Sequence, residues 1–186
     1  MANRSHLYAF DRFENGLPYK PRGLHEWNHT IPVSHQLLIS GKPRAYNSSI
    51  LTGKQKAAVV GDYEPGVARF WAFMRALEAS KVLPDELSTE LKAAEEFLAR
   101  DSSKGRFLLL EPFEIFQFSE TALDTQCATF VSKQLATFTA QVDALVARPP
   151  EKLFQKPPAW LAAIKKDWGS IGLGYWSSVL YYSLDG

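Results

Sequence analysis

The sequence predicts an α+β fold, a single domain in which a small, mostly antiparallel sheet is covered by helices. Two observations carry this. Apolar residues recur at spacings of three and four through several long stretches, the mark of amphipathic helices. Between them lie short apolar and aromatic runs bounded by Gly, Pro, Asn and Asp, which read as strands. The composition agrees: 186 residues, 46% hydrophobic and 22% charged, suit one ordinary globular core.

Along the chain, residues 5–10 alternate and include aromatics, which predicts a strand ended by Asp11-Arg12 and the Asn15-Gly16 turn signal. From there to Trp27 the chain reads as loop. Thr30 is placed to cap a short helix over 32–40, with Pro32 in its first turn, Val33, Leu37 and Leu38 inward and Gly41 as its stop. Residues 57–60 form a brief buried strand. Val67, Phe70, Trp71, Met74 and Leu77 then give a helix over 66–81 one apolar face. Pro84 opens a second helix over 84–100, with Asp85 and Glu86 favoured by the helix dipole in its first turn and Leu87, Leu91, Ala94 and Leu98 as its stripe.

Residues 106–111 are too short and too apolar for anything but a buried strand, and Glu111-Pro112 separates them from a further strand over 113–118. Leu123, Cys127, Phe130, Val131, Leu135, Phe138, Val142 and Leu145 hold helical phase over 121–147, until Pro149-Pro150. A short helix over 158–168 and an aromatic strand over 175–184 complete the expected elements. Nothing repeats, and the segment after the only joint, between Pro149 and Pro158, is too short to fold alone, so residues 1–186 read as one domain.

Basic and acidic side chains nearly cancel, 21 against 20, which argues against a nucleic-acid partner and against a polyanion mimic. The charge is uneven: residues 1–60 carry 8 basic and 3 acidic side chains, and residues 61–120 carry 7 and 12. The single Cys127 falls on a helix's apolar stripe and reads as core. No run of 18 apolar residues and no signal-peptide core is present, so the expectation is a cytoplasmic protein without a membrane partner.

The sharpest string is His25-Glu26-Trp27-Asn28-His29, which matches H-E-x-x-H. In a zinc hydrolase His25 and His29 would be ligands one helical turn apart and Glu26 the general base. That chemistry needs a helix. Pro18, Pro21 and Gly23 before the string, and Thr30 and Pro32 after it, argue for a loop, so zinc stands as the alternative and no cofactor is expected. P-loop, dinucleotide-binding and G-x-S-x-G signatures are absent. Aromatics are abundant, and Trp27, Tyr46, Tyr63, Trp160, Tyr175 and Trp176 lie in loops or beside Gly and Pro, where a ring can anchor a partner.

Met1-Ala2-Asn3-Arg4-Ser5-His6-Leu7-Tyr8, Gly61-Asp62-Tyr63 and Gly172-Leu173-Gly174-Tyr175-Trp176 resemble a group of uncharacterised bacterial proteins that open Met-Ala-Asn-Arg-Ser-Tyr-Leu-Tyr, with His6 where the group has tyrosine. The resemblance implies a small bacterial cytoplasmic protein of the kind met as an immunity partner of a toxin. The expectation is therefore a protein-binding module and not an enzyme, neutralising a toxin domain by occlusion. Trp27, Tyr46, Tyr63 and Trp176 are its expected anchors, with Asp62 and Glu64 facing a basic partner. A self-associating structural subunit, a homodimer through the C-terminal strand, is a further alternative.

Overall fold

The structure is a computed structural model that describes residues 3–52 and 54–184. In chain order its elements are β1 (Arg4–Phe10), β2 (Phe13–Glu14), β3 (Leu17–Pro18), β4 (Arg22–Asn28), α1 (Val33–Leu38), β5 (Arg44–Asn47), β6 (Lys56–Asp62), α2 (Tyr63–Ala79) and α3 (Asp85–Leu98). They continue with β7 (Phe107–Glu111), α4 (Phe113–Phe116), α5 (Leu123–Thr129), α6 (Ala136–Val146) and α7 (Ala159–Lys166). Five strands form one sheet in the order β4-β1-β7-β6-β5, every neighbouring pair antiparallel, while β2 and β3 make a small separate hairpin. This is the α+β architecture the sequence predicts.

The sheet is covered on both faces, which is why the central strands carry almost no exposed residue. Alternate residues of a strand point to opposite sides. Leu7 and Ala9 of β1, Val59 of β6 and Leu108 and Leu110 of β7 join the large core beneath α1, α2, α3 and the α5–α6 region. Tyr8, Phe10, Ala58, Val60 and Leu109 join a smaller cluster with Leu180, against which Phe13, Tyr46, Phe107 and Leu184 pack. The helices thus serve one face, and the β2–β3 hairpin with the C-terminal segment serves the other.

Several expectations are corrected. Residues 22–28, read as loop, form β4 at the sheet's edge; Pro18 and Pro21 precede it and Gly23 lies within it, all tolerated in a strand with one unpaired side. β5 is a further strand that the sequence does not predict. Residues 113–118, read as a strand, begin with the short helix α4, in which Phe113 and Phe116, one turn apart, are both buried. The helix over 121–147 keeps its phase but is interrupted by a π-helical stretch, Phe130–Leu135, between α5 and α6.

Residues 175–184, read as a strand, have no regular structure. Tyr175 takes a positive φ of 67° and turns the chain, so that residues 172–184 wrap β4 as a strap. Leu173 and Trp176 belong to the helix-side core, the Ser177 amide donates to the Leu24 carbonyl at 3.1 Å, and Leu180 lies on the far face. Gly23 makes that passage possible, because a Cβ there would stand 2.7 Å from the Ser178 carbonyl and 2.8 Å from Leu180. The strap occupies the edge through which a C-terminal strand was expected to pair with a second copy. Among the described residues no helix is long and apolar enough to cross a membrane.

Candidate functional site

Beneath the strap, on the helix-covered face, three buried side chains form a continuous hydrogen-bonded chain. Ser5 of β1 contacts the Thr30 carbonyl and His35 Nδ1, each at 3.0 Å; His35 Nε2 meets His25 Nδ1 at 2.8 Å; and His25 Nε2 meets the Gly174 carbonyl. Gly174's carbonyl only accepts, so the proton of a neutral His25 sits on Nε2, and that of a neutral His35 on its own Nε2. Ser5 then has one proton for two acceptors. Burial holds both imidazoles in the neutral form, lowering His25 to about 4 and His35 well below its ordinary value. Serine, histidine and histidine in sequence suggest a nucleophile and its bases, but all three are fully buried. The chain ties β1, α1, β4 and the strap together.

Two of the expected anchors surround this chain. Trp27 stacks on His25 with ring centroids 5.8 Å apart, and Trp176 lies 4.5 Å from the same ring. Trp176 also touches Phe97 of α3, at 5.9 Å, and its indole N–H is buried without an acceptor. Outward from Trp176 opens a groove of about 490 Å³ between α3 and the strap, lined by Glu90, Glu96, Phe97, Arg100, Tyr175 and Trp176 among others. Tyr175 is 85% exposed, Val179 82% and Tyr181 67%; the other exposed large hydrophobics among the described residues are Leu17 and Phe118. Among the described residues, exposed large apolar side chains are thus concentrated on residues 175–181.

The remaining expected residues lie elsewhere. Tyr46 of β5 packs against Phe13 at 5.0 Å on the far face. Tyr63 opens α2 and is buried, its amide donating to the Arg106 carbonyl. Asp62 is paired with Lys42 at 3.5 Å and Arg44 at 3.6 Å, beside exposed Glu64 in a second groove that also contains Arg106. Asp62 is thus largely neutralised within the molecule, whereas Glu64 has no ion pair among the described residues. Trp160, a further aromatic beside proline, lies in α7 and packs on Phe138 and Phe73.

The H-E-x-x-H string lies on β4 and not on a helix. Its strand period turns His25 into the core, while Glu26, paired across the sheet with His6, reaches the opposite face; His29, exposed beyond the strand, has a φ of 67°. The two histidines do not converge, and among the described residues no group of three or more His, Cys, Asp or Glu side chains is arranged to hold a metal. Cys127 is buried and donates to the Ala58 carbonyl, and burial pushes its thiol up to about 12, as expected of a core residue.

The far face holds a second polar group under the strap. His6 is fully buried, with neither ring nitrogen hydrogen-bonded, and its nearest charge is the Glu26 carboxylate at 3.8 Å. Burial lowers its basicity, and Glu26 and Glu114 partly restore it. Glu111 accepts from the Ser48 hydroxyl at 2.8 Å and the Ser49 amide at 2.6 Å, and burial pushes its carboxyl up to about 7. Glu114 accepts from the Arg4 amide and the Tyr182 hydroxyl.

Sequence reasoning misses Glu90 and Glu96. They have the same composition and spacing as any solvated helix face, and the groove's other wall comes from residues far along the chain. Tyr175 carries a signal in its glycine neighbour, yet the sequence singles out Trp176 beside it.

Fold and site together define an α+β domain whose sheet edge is closed by its own C-terminal segment, with an aromatic groove at that closure. The chain belongs to the family described as Domain of unknown function (DUF7822), whose model matches residues 13–151. That match leaves β1 and all of the strap outside it. No curated protein and no solved structure matches the chain.

Proposed function

We propose that this protein is a protein-binding module whose docking face is the strap and the groove it forms with α3. The observation that carries the proposal is the concentration of exposed Tyr175, Val179 and Tyr181 on one short segment of an otherwise well-buried chain. Large rings held on a fixed backbone lose little conformational freedom on binding, which is why they dominate binding hot spots. The backbone is fixed here: the His25 contact to Gly174, the Ser177 to Leu24 bond and the Tyr8 hydroxyl bond to the Tyr182 carbonyl, 2.8 Å, hold the segment at three points. Its finer form is that of a bacterial cytoplasmic immunity protein, in which the occluded partner is a toxin domain with a basic active-site surface.

The test is affinity capture from cells that naturally make the protein, comparing the native chain with a Tyr175→Ser, Val179→Ser, Tyr181→Ser variant of unchanged melting temperature. A protein retained by the native chain and released by the variant is the expected result. Identical proteins on both baits, or none on either, would overturn the module reading. A released partner that is not a toxin domain would overturn only the immunity form.

A further inference from the structure

We propose that the groove between α3 and residues 173–176 receives a cationic side chain, an arginine or lysine presented by a protein partner. The inference rests on the binding-module reading and names the chemistry that the partner brings.

Two features of the groove select a cation. Its aromatic wall is Phe97, Tyr175 and Trp176, and aromatic faces attract cations through the ring quadrupole. Its rim carries Glu90 and Glu96, both exposed and neither ion-paired among the described residues. Glu90 leans over the strap, with Oε1 3.4 Å from where a Cβ on Gly174 would stand, so the carboxylate lies beside the aromatic wall. The molecule itself shows the preference: the Arg100 guanidinium sits 5.0 Å over the Phe97 ring at one part of the wall, leaving Tyr175, Glu90 and Glu96 without a cation of their own.

The surrounding field has the same sign. α3 carries five carboxylates, Asp85, Glu86, Glu90, Glu95 and Glu96, against the single Lys92. A basic segment would be steered towards this helix before any contact forms. The contrast with Asp62 is direct, since that carboxylate already has Lys42 and Arg44 beside it. An anionic or neutral side chain would leave Glu90 and Glu96 facing a poorer partner as water is removed from the groove.

The experiment titrates the full-length protein, labelled with ¹⁵N at tryptophan, with a tetra-arginine peptide and, separately, with tetra-glutamate, following the Trp176 indole signal assigned through Trp176→Phe. Tetra-arginine is expected to shift that signal and tetra-glutamate to leave it in place. Glu90→Gln with Glu96→Gln is expected to weaken tetra-arginine by roughly 10-fold, whereas Asp85→Asn with Glu86→Gln, which removes equal charge from the same helix, weakens it less than about 2-fold. Tyr175→Leu, which keeps bulk without the quadrupole, should weaken it by roughly 3-fold. Equal losses in the two charge variants would reduce the effect to a diffuse field and overturn the site, as would equal response to both peptides.

The captured partner separates this inference from the one it rests on. A partner released by the Tyr175, Val179 and Tyr181 variant yet retained by Glu90→Gln with Glu96→Gln overturns the cation site and leaves the module reading standing. A partner released by both variants and displaced by tetra-arginine supports both.

Discussion

On the helix-covered face of the sheet, His25 and His35 are buried with both ring nitrogens in contact with a partner, inside a chain that joins four parts of the fold. On the opposite face His6 is buried as deeply, yet neither of its nitrogens has a hydrogen bond, and Glu111 is held in a site that resists its ionisation. The covers differ as well. One face lies under α1, α2, α3 and the α5–α6 region in a large cluster, the other under a two-strand hairpin and a strap. Burial fixes the direction in which each group titrates, whereas the partners decide what that burial holds together.

The largest expected difference is in packing. Phe73→Ala empties a fully buried position in the main core and is expected to destabilise by about 3–5 kcal/mol. Leu180→Ala removes the strap's contact with the smaller cluster, and about 2 kcal/mol is expected, the low end for leucine, because the surface segment can collapse. Urea unfolding measures both. Equal losses would mean that the strap is as much a core element as the helices, and the contrast between the faces would fail.

Next comes pH, where Glu111 and the buried histidines act in opposite directions. Glu111 rises from 4.5 to about 7 on folding, so between those values the folded chain holds a proton that the unfolded chain has released. Its contribution is present below pH 4.5 and lost as pH rises through about 7, on the order of 3 kcal/mol in all. His25 falls from 6.5 to about 4, so its contribution is present above pH 6.5 and lost as pH falls through about 4. His6 and His35, both lowered, add to the histidine side. Glu111→Gln keeps the side chain's shape and the bond accepted from the Ser49 amide, gives up the bond accepted from the Ser48 hydroxyl, and removes the opposing term. Stability should then climb with pH more steeply than in the native protein, by about 1.4 kcal/mol per pH unit between about pH 5 and 6.5. Parallel profiles would show that Glu111 ionises normally in the fold.

The legibility of the fold in the sequence divides along the same line. α2, α3 and the long α5–α6 run are legible in phase, because Phe70, Met74, Leu77, Leu87 and Leu91 all face one core and their spacing shows it. β4 is hidden by the Pro and Gly residues that an edge strand tolerates, and Gly23 is present for the strap, a contact with residues at the other end of the chain. Phe113 and Phe116 read as strand because a run of aromatics has no period that separates one turn of helix from an extended segment. The H-E-x-x-H string fails for a related reason: its meaning depends on a period of about 3.6, and β4 imposes a period of two. Trp176 is marked by its glycine neighbours, whereas Glu90 and Glu96 line a groove only once the strap lies beside them.

A smaller effect probes how the strap crosses the edge. Gly23→Ala places a methyl group against the Ser178 carbonyl and Leu180, and about 1–3 kcal/mol of destabilisation is expected as the strap is pushed outward. Thermal melting reads the total, and a loss of protection at Ser177, whose amide donates to Leu24, locates it. An unchanged Ser177 amide would mean that β4 shifts instead, placing the compliance in the sheet.

The smallest expected effect comes from Tyr8→Phe. The ring stays packed in the far-face cluster, and the change removes the hydroxyl bond to the Tyr182 carbonyl, worth about 1 kcal/mol. Because that bond reaches only the strap, its loss should appear as local opening: exchange of the Ser177 and Tyr181 amides should accelerate about 5-fold. Amides buried in β1 and β7 should keep their rates, since the bonds between those strands do not involve the hydroxyl. Acceleration throughout the sheet would mean that the strap and the sheet open as one unit. The two faces would then differ in chemistry but not in local stability, and the proposed docking face would be as rigid as the core beneath it.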